Sequence, residues 1–286
     1  MHNLLKAETI MILLNKSEFR KVLEPLQKVT INYLFASAVV KGHIKGTIYV
    51  DNQENPRSYY VTHPYGMSLL FGDNTNEEFN GWLLDHALNT FQIRDRYEWL
   101  QAFPETWNEQ ITTQWGEHIL KSNENDDGLK NSKIEVNTRV NFKFNETKYC
   151  IFKNMQLFSD IKVYQTNQHM FDSMQGSVIP SRFWNNSNDF RQRAIAFSVL
   201  VGDVVVSTAF SAFIEGKQLE IGIETSPLFR GRGYAITTCL ALIDYCLEND
   251  LEPIWACRLE NSASYLLAQK LGFEPIIYWP FYRLND

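Results

Sequence analysis

Several things that specialise a protein are scarce in this chain. It holds 4 cysteines in 286 residues. Cys150, Cys239, Cys246 and Cys257 show no CxxC spacing and no histidine pairing of the kind a zinc site needs, so no metal is expected. Cys239 and Cys246 stand seven apart in an expected helix, about two turns along one face, too far apart to bridge and well placed as buried free thiols. No apolar run reaches the ~20 residues of a membrane span. The short apolar stretch MHNLLKAETIMILLNKSEF is broken by Glu8 and followed by no small-residue cleavage pattern, so a cytoplasmic protein without a membrane partner is expected. Positive charge is short as well: 27 Lys and Arg against 33 Asp and Glu give a net charge of −6. That balance argues against general nucleic-acid binding, which needs a basic surface to displace condensed counterions. The chain also lacks a GxxxxGK followed by Ser or Thr, and a GxGxxG placed after the first strand of a βαβ series, which removes the two commonest nucleotide-binding readings.

What is present is a globular composition, with 44% hydrophobic and 14% aromatic residues, in a chain long enough for two domains of comparable size. The most polar stretch, KSNENDDGLKNSK from Lys121 to Lys133, reads as a linker, giving domains 1–130 and 131–286. Before it, GTIYVDN, SYYVTH and MSLLFGD read as short strands and EEFNGWLLDHALNTF as a helix, a smaller α+β domain. The aromatic run RDRYEWLQAFPETWNEQITTQW either lines a cleft or packs a core. After the linker, SKIEVNTRVNFKFN and YCIFKN read as strands, and short helices are expected around IKVYQTNQHMFDSM. AIAFSVLVGDVVVSTAFSAFIEGKQLEIGIET then gives three antiparallel strands, turning at Gly202-Asp203 and at Glu215-Gly216-Lys217. A glycine-rich turn, the helix ITTCLALIDYCLEND, the strand PIWACRL, the helix SASYLLAQKL and the strand EPIIYWPFYRL complete a mixed α/β pattern.

The turn is TSPLFRGRGYA, Thr225 to Ala235, and it joins a strand to a helix. There the first helical N–H groups lack intrahelical partners and carry the positive end of the helix dipole, which suits a phosphate or pyrophosphate. Gly231 and Gly233 remove side chains from the approach and Arg230 and Arg232 add charge; an ordinary tight turn and a solvated Arg232 are the plainer alternatives.

Arg230-Gly231-Arg232-Gly233-Tyr234-Ala235 resembles the signature turn of the GNAT superfamily of acyl-CoA-dependent acyltransferases. The resemblance continues through Pro227 and the following helix to NSASYLLAQKLGF, Asn261 to Phe273, which is similar to the family's second marker. More closely, the chain resembles a bacterial subfamily, largely uncharacterised, that carries a separate amino-terminal portion. The resemblance implies a mixed, largely antiparallel central sheet with flanking helices in the carboxyl half. It also implies acetyl-CoA as co-substrate, with the amides of Arg230 to Ala235 around the pyrophosphate and the strand near Ile223 and Thr225 bonded to the pantetheine arm. Asn261 either touches the cofactor or caps its helix, and Ser264 joins the cofactor set.

Acyl transfer to an amine needs a group that takes the amine proton and benefits from one that protonates the thiolate. Strand alternation puts Glu220 and Glu224 on one face, and Glu220 is the expected base, against the alternative of a solvent-facing glutamate. Many family members carry a tyrosine where this chain has Ala268, which would leave room for a water there. Tyr265, one helical turn back, is the candidate acid or a core residue. The amino half has no glycine turn of its own and is expected to bind no CoA, either closing the acceptor cleft or packing as a structural partner. The expected function is N-acetyltransfer from acetyl-CoA to a small-molecule amine by direct attack. The alternatives are a non-catalytic acyl-CoA-binding module and a protein N-acetyltransferase, and a homodimer is carried as an open partner.

Overall fold

The computed structural model describes residues 11–120, 134–155 and 161–285. The expected linker, Lys121 to Lys133, and the stretch before Met11 lie outside the described residues. The chain divides into two compact units, one comprising residues 1–137 and 280–286, the other residues 138–279. The division falls a few residues beyond the polar stretch, and the last residues of the chain return to the first unit.

In the first unit, β1 (Ile12–Leu13) and the helices α1 (Leu23–Leu26) and α2 (Leu34–Val40) precede an antiparallel meander of β2 (Thr47–Val50), β3 (Ser58–His63) and β4 (Met67–Gly72). Aromatic and β-branched residues fill these strands, with Tyr49 opposite Tyr60 and Val61 opposite Leu69. Helix α3 (Glu77–Ala87) crosses over to β5 (Glu98–Phe103), which runs parallel to β4 with Met67 to Phe71 matched to Trp99 to Phe103. Asn76 starts α3, its Oδ1 accepting the N–H of Phe79 at 3.1 Å. After α4 (Glu105–Trp115) and β6 (Ile119–Leu120), the chain leaves the unit, and the carboxyl terminus closes the free edge of β5 with Tyr282 opposite Leu100. Trp107 and Trp115 of the aromatic run are fully buried among Tyr60, Leu70, Phe79 and Leu100, so packing accounts for them; Tyr97 of the same run is exposed.

The second unit begins within β7 (Ile134–Phe144). The segment YCIFKN, expected as a strand, is instead part of helix α5 (Glu146–Asn154). Its six residues are too few to fix a period, and the signal lies just upstream: Asn145 Oδ1 accepts the N–H of Lys148 at 3.1 Å, with Glu146 in the first turn and Lys153 in the last. Next come β8 (Val163–Gln165), α6 (Gln168–Ser173) and α7 (Ser187–Arg193). The antiparallel meander β9 (Ala196–Val201), β10 (Val204–Glu215) and β11 (Gln218–Thr225) turns at Gly202 and Gly216, both at positive φ, as expected. Helix α8 (Tyr234–Glu248) leads to β12 (Glu252–Arg258), which lies parallel to β11, and α9 (Ser262–Lys270) leads to β13 (Phe273–Leu284). The other edge of β12 is covered by β7, Trp255 opposite Phe142. Cys239 and Cys246 are buried free thiols in the core with Leu242, Trp255 and Phe273. Each unit is therefore a mixed, largely antiparallel sheet with flanking helices, built in the same order: meander, crossover helix, parallel strand, helix. Among the described residues no helix is long and apolar enough to cross a membrane.

Candidate active site

Strand β11 ends at Thr225, and a short 3-10 turn, Pro227–Phe229, carries the chain to α8. Gly231 (φ 75) and Gly233 (φ 85) both occupy the left-handed region that most side chains avoid, so the backbone favours glycine at both positions. Gly233 is the N-cap of α8 and offers no side chain to it, leaving the first N–H groups of a 15-residue helix without a side-chain cap. A Cβ built on Gly231 meets nothing within 4 Å. The turn is braced from below. Arg230 Nε donates to the Thr225 carbonyl at 3.0 Å, the hydroxyls of Thr225 and Ser207 share a 2.8 Å bond, and Thr237 Oγ1 donates to the Gly233 carbonyl at 3.1 Å. Arg232 is exposed, with its guanidinium 5.4 Å from the centre of the Phe229 ring. Tyr234 and Ala235 are half-buried in the first turn.

The ladder between β11 and β12 covers only Gln218 to Glu220 against Glu252 to Ile254, although β11 runs on to Thr225 and β12 to Arg258. The strands diverge beyond that point, and the β11 edge from Ile221 through Ile223 to Thr225 faces the opening. Such an edge can pair with an extended ligand arm as it would with a strand.

Glu220 stands at the last matched pair before the opening. It is 5% exposed, not solvent-facing, and its Oε1 lies 3.5 Å from Nη2 of Arg139, itself buried on β7. Burying a carboxylate is tolerable only with such a partner, because desolvation costs several kcal/mol per ion. Glu224, the other candidate from the same face, is used differently. Its Oε2 accepts the backbone N–H of Ser177 at 3.0 Å and of Val178 at 2.9 Å, and Oε1 lies 3.5 Å from Arg230. It ties the 176–178 loop to the sheet.

On α9, Asn261 Oδ1 accepts the Ser264 N–H at 3.2 Å, the capping role rather than a free side chain. Ser264 Oγ in turn lies 3.2 Å from Trp255 Nε1. Tyr265 is half-buried against Phe142, and its hydroxyl is 3.0 Å from that of Tyr278. The bond to Tyr278, followed by burial, raises the Tyr265 pKa above that of an ordinary phenol, so the hydroxyl is protonated at neutral pH. Ala268 is fully buried in the core beside Leu271 and Phe273, so its methyl does not face the space expected there for a water.

Sequence reasoning missed Arg139 and Tyr278. Each reaches its partner across more than ten positions of sequence, on strands whose pairing no local pattern announces. The glycine turn and the leucine-glycine stretch lie in chain order as read from the sequence, the first at the start of α8 and the second after α9, with β12 between them.

A family model described as GNAT acetyltransferase matches residues 25–282. The uncharacterized N-acetyltransferase YdfB of Bacillus subtilis (strain 168) is 25% identical over 250 residues, covering 87% of this chain and 89% of that protein. Among solved structures, a GCN5-related N-acetyltransferase-like protein from Streptococcus suis superposes with a TM-score of 0.67 at 19% identity, covering 93% of this chain and 98% of that one. A tandem GNAT protein from the clavulanic acid biosynthesis pathway gives 0.56 at 8% identity, covering 96% and 98%. Members of the matched family use acetyl-CoA. The chain belongs to the GNAT acetyltransferase family and is an acetyltransferase.

Proposed function

We propose that the protein transfers an acetyl group from acetyl-CoA to the amine of a small molecule by direct attack within a ternary complex. The observation that carries this reading is that one strand, β11, connects both halves of the site. Its ladder with β12 opens at Glu220, and its far end runs into the uncapped, double-glycine turn at the start of α8. The amides of Arg230 to Ala235 would hold the pyrophosphate, Arg230 and Arg232 would add positive charge, and the Ile223 to Thr225 edge would hold the pantetheine arm. Bound acetyl-CoA supplies an activated thioester carbonyl. The chain's own residues manage protons and position. The amine nitrogen forms its bond to the carbonyl carbon as the carbon–sulfur bond breaks. Glu220, held by Arg139, takes the amine proton, and the Tyr265–Tyr278 hydroxyl pair, or water, protonates the thiolate. Glu224 serves as a brace for the loop beside the turn.

The first unit supports this reading as a repeat without a cofactor site. Its corresponding helix, α3, is capped by Asn76 and begins with Glu77 and Glu78, a first turn that repels an anion. The test is thiol release from acetyl-CoA measured against polyamines, amino acids and aminoglycoside-like amines. Release with one amine class supports transfer. Saturable acetyl-CoA binding with no release for any amine supports a binding module instead.

A further inference from the structure

The first unit carries a cavity of about 360 Å³, partly open to solvent, that the acyl-transfer reading does not use. It lies at the start of β5, away from the end of β4 that leads into α3, and Thr47, Thr62, His86, Ile93, Tyr97 and Glu98 are among the residues that line it. Its volume lies in the range of small-molecule sites, ~300–1,000 Å³.

The polar groups at its base are costly to bury and are held in place. Glu98 is 8% exposed; it accepts a hydrogen bond from the Tyr60 hydroxyl, and its Oε2 lies 3.4 Å from His86 Nε2. Burial alone would push the Glu98 pKa up, but His86 and the hydroxyls of Ser68 and Tyr60 outweigh it and hold the carboxyl below its usual range. The His86 ring stacks on Trp82 at 5.0 Å and meets Tyr60 edge-on at 5.0 Å, so it cannot turn away. Its Nδ1 is buried without a hydrogen-bond partner among the described residues, on a ring that lines the cavity.

Arg94, Asp95 and Arg96 also line the cavity, with both guanidinium groups already engaged. Arg94 donates to the carbonyls of His86, Ala87, Leu284 and Asn285 at 2.9–3.0 Å. Arg96 donates to Asp95 at 3.1 Å and to the Pro64 carbonyl at 3.2 Å. Ile93 and Tyr97, 54% and 44% exposed, give the lining an apolar side. If packing alone were at stake, an apolar residue would serve at least as well as a buried carboxylate beside a histidine.

We propose that this cavity binds a small primary ammonium ion carried on an apolar body, with the ammonium at Glu98 and the body against Ile93 and Tyr97. The site is separate from the α8 turn and does not require acyl transfer. The test is calorimetric titration of the full chain, without acetyl-CoA, with 2-phenylethylamine and with its uncharged counterpart 2-phenylethanol. Saturable binding of the amine is expected, with the alcohol at least ten-fold weaker. Glu98→Gln should weaken the amine at least ten-fold. Ile93→Lys, an exposed change that leaves the core intact and places a cation in the lining, should also weaken it and decides the matter if Glu98→Gln does not fold. Gly233→Asp, aimed at the acetyl-CoA site, should leave amine binding unchanged, so failure of the acyl-transfer reading does not touch this one. No saturable amine binding, equal binding of the alcohol, or an unchanged isotherm in folded Glu98→Gln or Ile93→Lys would overturn the proposal.

Discussion

Replacing Gly233 by Asp separates what the α8 turn does for the fold from what it does for a ligand. Gly233 sits at φ 85 and ψ −9, and its carbonyl is fixed by the N–H and the hydroxyl of Thr237 at 3.0 and 3.1 Å, so the peptide cannot swing to a standard N-cap conformation. Aspartate tolerates the left-handed region better than most side chains, so the strain is about 1 kcal/mol. For a protein of this size that lowers Tm by roughly 2–4 °C. The electrostatic cost to a bound pyrophosphate is larger. Two unit charges ~4 Å apart at an effective dielectric constant of ~20 repel by about 4 kcal/mol, and salt reduces this, so acetyl-CoA affinity should fall on the order of 30- to 1,000-fold. Gly233→Asn has nearly the same shape and backbone preference without the charge, and should retain affinity to within about ten-fold. Calorimetric titration of both variants with acetyl-CoA, alongside thermal melts, is the assay. Equal affinities for Asp and Asn would remove electrostatics from the argument, and unchanged affinity in both would remove the turn from the site.

Other substitutions probe the chemistry and the first unit. Glu220→Gln should lower kcat/KM on the order of a hundredfold, with acetyl-CoA affinity unchanged, in steady-state assays on the amine identified by thiol release; a smaller loss assigns the proton transfer elsewhere. Tyr265→Phe should cost less than about tenfold, because Tyr278 shares its hydroxyl bond and the CoA thiol is a tolerable leaving group; if it costs more than Glu220→Gln, the tyrosine is the essential acid. His63 is buried and neutral, its pKa pushed down to about 3, so the unfolded chain takes up its proton first. Its stabilising contribution is complete above about pH 6.5 and erodes as pH falls toward 3, which costs the parent about 2 kcal/mol by pH 5 relative to a folded His63→Phe variant. Urea melts of the two proteins at pH 7.5 and pH 5 measure this, and a pH-independent difference between them contradicts it.

How legible each feature was in sequence follows from how local its cause is. The meander from Ala196 to Thr225 announced itself through alternation and two glycine turns, and the α8 turn through two glycines whose positive φ no other residue supplies cheaply. YCIFKN was misread because a six-residue apolar and polar mixture carries no period, while its true determinant, the Asn145 cap, lies outside it. Glu220 was found as a candidate, but its burial was not, because its depth comes from Arg139 on a strand 81 positions earlier. Glu224 looked equivalent by alternation, and only the folded loop at Ser177 and Val178 shows that its carboxylate is occupied. The closing of β5 by the last residues of the chain was likewise invisible, since pairing partners so far apart leave no mark on either segment.

The two units show how few residues turn this arrangement of strands and helices into a candidate cofactor site. Both set a parallel strand beside the third strand of a meander after a crossover helix. In the first unit β4 and β5 stay in register from Met67–Trp99 to Phe71–Phe103, and in the second the ladder between β11 and β12 ends at Glu220–Ile254. A closed pair offers no edge to an extended ligand, and an open one does. The helix starts differ in the same sense. Asn76, Glu77 and Glu78 satisfy the α3 terminus from within the chain, by a side-chain acceptor and by negative charge at the positive end of the dipole. The α8 terminus has Gly233 as its cap and no acidic residue in its first turn, so its N–H groups remain available to an anion from outside. Self-sufficiency and anion binding are thus alternative uses of one backbone geometry, and the choice between them is made at the cap and in the first turn, positions that a substitution can exchange without disturbing the packed sheet.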